Sequence, residues 1–249
     1  AEMVFYFNSL PPQPEEAAAG APSKPKSDDL IVPAGFSGTI PEEGCLLYMG
    51  RDKHENEELI KYSWPEDVWF HVDKESSAHV YIRLPRGSHK TGDKDWFKRI
   101  HPLVIEDCCQ LVKANSIKGN KLSNVSVVFT PASNLKKTAS MEIGQVGFHN
   151  PSMVFKAKIE SRKNEIVNRL DKTKKWVETD LQAELMARQK EDKAEAAQLA
   201  LVDKALREEQ EAKWKAEKDA KSYDKLFDAT KMTTAGELEV DSDGEVDFM

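Results

Sequence analysis

Apolar and polar side chains alternate with a period of two through two neighbouring stretches near residue 75. Val68, Phe70 and Val72 interleave with Trp69, His71 and Asp73, and Val80, Ile82 and Leu84 interleave with His79, Tyr81 and Arg83. Successive strand residues point to opposite faces, so the pattern predicts a pair of short strands with one plainly apolar face. The other face collects Trp69, His71, His79, Tyr81 and Arg83. Rings of this kind stack on bases and cations pair with phosphates, which makes the set a candidate nucleic-acid-binding face. It equally suits a core face lying under a helix, since large aromatics are commonly buried. The two histidines read first as hydrogen-bonded structural residues.

The same reading places further elements along the chain. Val4 to Phe7 is a first strand, and residues 1–10 are assigned to it. Residues 11–38, rich in Pro, Ala, Gly and Ser, are read as a disordered insertion because they bury too little to offset ordering entropy. Cys45 to Gly50 is a strand ending in a glycine turn. Asn56 is the expected N-cap of a short helix, with Glu57 and Glu58 in its first turn. Pro102 opens an amphipathic helix carrying Val104, Ile105, Cys108, Leu111 and Val112 at helical spacing, and Gly119-Asn120 breaks it. Val125 to Phe129 and Val146 to His149 complete the strands. The sum is an α+β fold: a small domain over 39–155 with an antiparallel sheet and a few helices.

From 156 to 225 Ala, Glu, Lys, Leu, Gln and Arg dominate, and glycine and proline nearly vanish. A long charged helix is expected there, with Ile159, Ile166, Leu170, Val177, Leu181 and Leu185 as a coiled-coil stripe. Its first part is locally basic. Lys156, Lys158, Arg162 and Lys163 are candidate contacts to a nucleic-acid backbone, or else an ordinary solvated helix face. Residues 226–249 are acidic and read as a disordered tail.

The net charge of −7 argues against a protein that simply coats nucleic acid, although the tail hides basic stretches upstream. Three cysteines, two of them adjacent, do not form a disulfide framework and fit a reducing compartment. No apolar run is long enough to span a membrane. Cytoplasmic placement is expected, with nuclear access or peripheral membrane attachment through a partner left open. No phosphate-binding glycine motif or zinc-type cysteine spacing is present, so neither catalysis nor a cofactor nor a metal is expected.

Gly50-Arg51-Asp52-Lys53 offers cations beside a glycine turn, and Lys136-Lys137 forms a second dibasic loop. These can hold phosphates or stand as solvated charges. The first of these stretches, with Asp67-Val68-Trp69-Phe70-His71-Val72, Ala78-His79-Val80, Phe129-Thr130-Pro131, Asn134-Leu135-Lys136-Lys137 and Gly144-Gln145-Val146-Gly147-Phe148, resembles the NFACT-R domain. The trailing charged helix and the Asp247-Phe248-Met249 ending resemble the stand-alone coiled-coil domain-containing protein 25 group, whose fungal members are the Jlp2 type. A fungal chain is expected. The resemblance implies an RNA-binding module of the kind found in ribosome quality-control factors, without their companion domains. It also tips Lys136 and Lys137 towards a binding role.

The expected function is therefore non-enzymatic binding of RNA, with tRNA, rRNA or the ribosome as partner, through the sheet face and the basic helix. DNA binding through the same cations is one alternative. A coiled-coil adaptor that pairs with a protein or with itself is the other.

Overall fold

A computed structural model describes residues 2–9, 30–90, 92–93 and 95–221. The α+β expectation holds. The centre is an eight-stranded, wholly antiparallel sheet built from β1 (Glu2–Ser9), β2 (Leu30–Ile31), β3 (Cys45–Gly50), β4 (Asp67–Val72), β5 (Val80–Arg83), β6 (Val125–Pro131), β9 (Phe155–Ile159) and β10 (Lys175–Thr179). Their order across the sheet is β10-β1-β3-β5-β4-β6-β9-β2. A separate hairpin pairs β7 (Leu135–Lys136) with β8 (Gly147–Phe148).

Both faces of the sheet are covered in its central part. Val68, Phe70, Val72, Val80 and Ile82 form one core with helix α2 (Pro102–Ala114) and with Leu170 of helix α3 (Asn164–Lys172). Trp69, Tyr81, Tyr48 and Val4 form a second core on the opposite face. Helix α1 (Lys53–Lys61) covers it through Leu59, the β7–β8 hairpin through Leu135 and Phe148, and helix α4 (Leu181–Ala220) through Leu181. The period of two is thus obeyed, but each face meets a cover of its own.

Local chemistry sets the helix ends. Asp52, not Asn56, caps α1: its Oδ1 accepts from His54 N at 2.9 Å and Glu55 N at 3.1 Å. Asn56 lies buried in the helix. Pro102 begins α2 as expected, and His101 Nδ1 accepts from Leu103 N at 3.1 Å.

Two further expectations differ from the structure. Residues 30–38 are not a disordered insertion: β2 pairs with β9, and the Phe36 ring packs in the core against Phe97, Phe129 and Phe155. Residues 10–29 lie outside the described residues, as does the acidic tail. The second correction concerns the long helix, which begins at Leu181 rather than 156. Residues 155–179 form β9, α3 and β10. In β9, Ala157 and Ile159 are buried while Lys156 and Lys158 are exposed, a strand alternation hidden within helix-forming composition. Ile159 and Leu170 therefore belong to the domain core, and the proposed stripe does not lie on one helix.

A second unit starts at Arg188. From Lys193 to Ala220 every α4 residue is exposed, including Leu199, Leu206 and Trp214. Pairs one helical turn apart support it, such as Glu209 with Lys213 at 2.7 Å. No helix among the described residues is long and apolar enough to cross a membrane.

Candidate nucleic-acid interface

The hairpin formed by β4 and β5 does not present its rings to solvent. Trp69 is 1% exposed, Tyr81 0% and His79 2%, so none of the three can stack on an incoming base. Trp69 stands opposite Tyr81 across the β4–β5 ladder. Its ring stacks on His71 at 5.3 Å and meets His79 edge-on at 5.4 Å, while Tyr81 stacks on Tyr48 at 4.9 Å. Burial pushes His79 down to about 3, helped by His71, and it also lowers His71. Both are neutral at physiological pH and carry no charge towards a phosphate. The reason is the cover: α1 and the β7–β8 hairpin occupy the space that an open face would have offered.

Arg83 is committed as well. Its Nε and Nη2 grip the two carboxylate oxygens of Asp67 at 2.9 and 3.1 Å, Tyr48 OH donates to Asp67 Oδ2 at 2.6 Å, and the guanidinium sits 3.7 Å from the centre of the Trp64 ring. Burial alone would lower the Arg83 pKa, but Asp67 and then Tyr48 carry it above the ordinary arginine value.

The Gly50 loop and the dibasic loop meet acids. Arg51 pairs with Asp52 at 3.5 Å and Glu55 at 3.7 Å. Lys137 Nζ reaches Glu57 Oε1 at 2.7 Å and donates to the Glu142 and Gln145 carbonyls at 2.7 and 2.9 Å. It is a clamp between the 138–147 loop and α1. Lys53 and Lys136 are exposed, but Lys53 adjoins a shallow depression lined by Glu2, Glu55, Glu57 and Glu58. Such a neighbourhood repels a phosphate backbone.

The cations assigned to a basic helix are divided. Lys163 pairs with Glu106 at 2.7 Å. Lys156 and Lys158 project from β9 on the side opposite the buried Ala157 and Ile159, at the end of the second face beyond the cover, and Arg162 follows in the loop after β9. Three segments come together there. Lys156 Nζ bonds Asp73 at 2.7 Å, Lys118 Nζ pairs with Glu75 at 3.4 Å, and Arg162 Nη1 donates to Asn120 Oδ1 at 2.8 Å. The turn after β4, the loop after α2 and the loop after β9 thereby form one corner. It holds Lys74, Lys118, Lys121, Lys156, Lys158 and Arg162 against Asp73, Glu75 and Glu160. The net positive charge belongs to a chain that is negative overall.

Lys74, Lys118 and Lys121 escape a sequence reading that treats Gly119-Asn120 only as a break. The available signal was the pair of lysines flanking that turn, directly after an amphipathic helix.

Comparison with known proteins bears on what this arrangement is for. Residues 36–150 match the family model described as the NFACT protein RNA binding domain. The bovine coiled-coil domain-containing protein 25 is 47% identical over 199 residues, covering 80% of this chain and 92% of the relative. The chain belongs to the coiled-coil domain-containing protein 25 family. A Dictyostelium discoideum homologue of that protein is 49% identical over 153 residues, covering 61% of this chain and 70% of its own, and Protein JLP2 of Saccharomyces cerevisiae is 43% identical over 141, covering 56% and 65%. Relatives in cattle, a slime mould and yeast make a fungal origin no more specific than any other. The matched stretch contains Lys74, Lys118 and Lys121 as well as the hairpin, whereas Lys156, Lys158 and Arg162 follow directly after it.

Proposed function

We propose that this protein binds RNA, within the translation machinery, without catalysing a reaction. The observation that carries the reading is the match of residues 36–150 to an RNA-binding domain. The distribution of charge supports it: the corner carries more cations than acids, whereas the depression beside α1 is lined by Glu2, Glu55, Glu57 and Glu58. Contact is to phosphates rather than stacked bases, because the hairpin rings are internal. The cysteines suit a non-catalytic role. Cys108 and Cys109 are wholly buried, and burial pushes both thiols well above their ordinary range, away from the nucleophilic thiolate.

Crosslinking in cells followed by sequencing of the recovered RNA and DNA tests this function. Enrichment of tRNA or rRNA is expected. Recovery of no RNA, or of DNA alone, would overturn it. A protein-adaptor role for the exposed α4 residues Leu199, Leu206 and Trp214 is the second reading, favoured by their exposure on an otherwise charged helix.

A further inference from the structure

The loop that follows α2 is held with unusual care for an exposed segment. Lys113 is 1% exposed, and its ammonium is spent inward: Nζ donates to the Gly119 carbonyl at 2.8 Å and to the Leu122 carbonyl. A buried lysine is costly unless its protons find acceptors, and here the acceptors are the backbone of the loop itself. Ser116 adds two more ties, donating to the Ser76 carbonyl at 2.6 Å and accepting from Gly119 N at 3.0 Å. Beyond them Asn124 N donates to the Glu160 carbonyl at 2.8 Å, and Asp73 N to the Ser126 carbonyl at 2.8 Å. The 116–124 segment is therefore tied to 73–76 through Ser116 and to 156–162 through Asn124, and the outward side chains of the corner are pre-positioned. Pre-positioning lowers the ordering cost of binding.

What these segments display is specific in kind. Lys74, Lys121 and Lys158 are exposed and have no ion-pair partner among the described residues. Around them stand the exposed polar side chains of Ser76, Ser123 and Asn124 and two aliphatic tips, Ile117 and Leu122. No aromatic side chain belongs to the three segments. A platform for single-stranded RNA needs rings on which bases can stack. A duplex hides its bases and is held through phosphates and 2′-hydroxyls, which ask for cations and small hydroxyl or amide groups on a rigid surface.

We infer that the corner formed by the 73–76, 116–124 and 156–162 segments is a docking surface for the backbone of double-stranded RNA, with Lys74, Lys121 and Lys158 as free phosphate contacts. This rests on the RNA-binding reading above and names the substrate class for it. Lys113 is a positioning residue: it touches no ligand and holds the loop that carries Lys118 and Lys121. The aliphatic tips Ile117 and Leu122 lie outside the proposed phosphate contacts.

Fluorescence anisotropy on the full chain tests the inference with three probes: an RNA duplex of about 16 base pairs, roughly the span that compact duplex-binding domains cover, a single strand of one of its sequences, and the matching DNA duplex. Wild type is expected to bind the RNA duplex at least about tenfold tighter than either alternative, a difference of about 1.4 kcal/mol. The combined Lys74→Glu, Lys121→Glu and Lys158→Glu variant removes side chains that hold no ion pair, so it folds. It is expected to lose at least about tenfold in affinity, and its slope of log affinity against log salt is expected to flatten by roughly 3. An Ile117→Ser, Leu122→Ser variant is expected to stay within about threefold of wild type. RNA binding by wild type that the triple variant leaves unchanged would sink this surface while sparing the RNA-binding function. Equal binding of single strands or DNA would sink the duplex-RNA class, and a loss of RNA affinity from the Ile117 and Leu122 changes as large as that of the triple variant would sink the assignment of the three lysines as the phosphate contacts. No binding of any RNA would sink the function and the inference together.

Discussion

Arg83 closes on Asp67 through two parallel bonds, Nε to Oδ1 at 2.9 Å and Nη2 to Oδ2 at 3.1 Å, with the Asp67 side chain wholly buried. A residue that reads as a phosphate ligand is thus an internal strut joining β4 to β5. The remaining bonds to Asp67, from Tyr48 OH and Trp64 N, both at 2.6 Å, make it the hub of this end of the second core. Deleting one partner of such a pair strands the other charge in the interior. Arg83→Met is expected to destabilise the domain by about 3–5 kcal/mol in chemical denaturation. A loss under about 1 kcal/mol would show the pair to be screened by solvent.

The burial of His79 has a consequence for stability in acid. Its folded pKa of about 3 lies below the ordinary 6.5, so between these values the unfolded chain takes up a proton that the folded chain refuses. Stability is therefore complete above pH 6.5 and falls as pH drops towards 3, by a few kcal/mol at most. His71, lowered in the same direction, adds to the slope. His79→Gln, which cannot titrate, is expected to show a flatter profile of unfolding free energy across this window. An unchanged slope would mean that His79 is accessible to protons in the folded state.

Lys137 and Glu57 hold the 138–147 loop onto α1. Glu57 Oε1 accepts both from Lys137 Nζ at 2.7 Å and from Gly144 N at 2.6 Å. Glu57→Ala removes both bonds at once. Loss of a charge-assisted hydrogen bond of about 1.5 kcal/mol corresponds to roughly tenfold faster amide exchange at Gly144 and its neighbours. Hydrogen exchange confined to 138–147 is the expected result, and exchange that speeds up throughout the domain would show the clamp to be global.

Trp69 separates the internal from the external reading of the hairpin. Trp69→Phe leaves a cavity beside His71 and His79 and is expected to lower stability by about 1–3 kcal/mol. Affinity for RNA is expected to stay within about twofold of wild type at a temperature where the variant is folded. A loss comparable with that of the lysine variant would restore the ring to the binding surface.

Much of the architecture was legible along the chain. The alternation in β4 and β5, the proline-started α2 and the motifs around Gly50, Trp69, Asn134 and Gly144 rest on spacing between near neighbours, and the sheet obeys them. The 155–179 segment shows where such reading fails. Lysine, glutamate and isoleucine there have the composition of a helix, but pairing of β9 with β6 and of β10 with β1 overrides local propensity.

The sequence by itself determined which residues share a face, because the period of a strand is fixed by the backbone. It could not determine which face meets water. That depends on what packs over it from far along the chain: α1 and the 135–148 hairpin bury Trp69, His79 and Tyr81, and Asp67 claims Arg83. The same long-range contacts assemble the cationic corner from segments more than 80 residues apart, as in Lys156 with Asp73. Burial and charge pairing are properties of the assembled chain, so only the tertiary structure moved the candidate interface from the aromatic hairpin to the lysines at the end of the sheet.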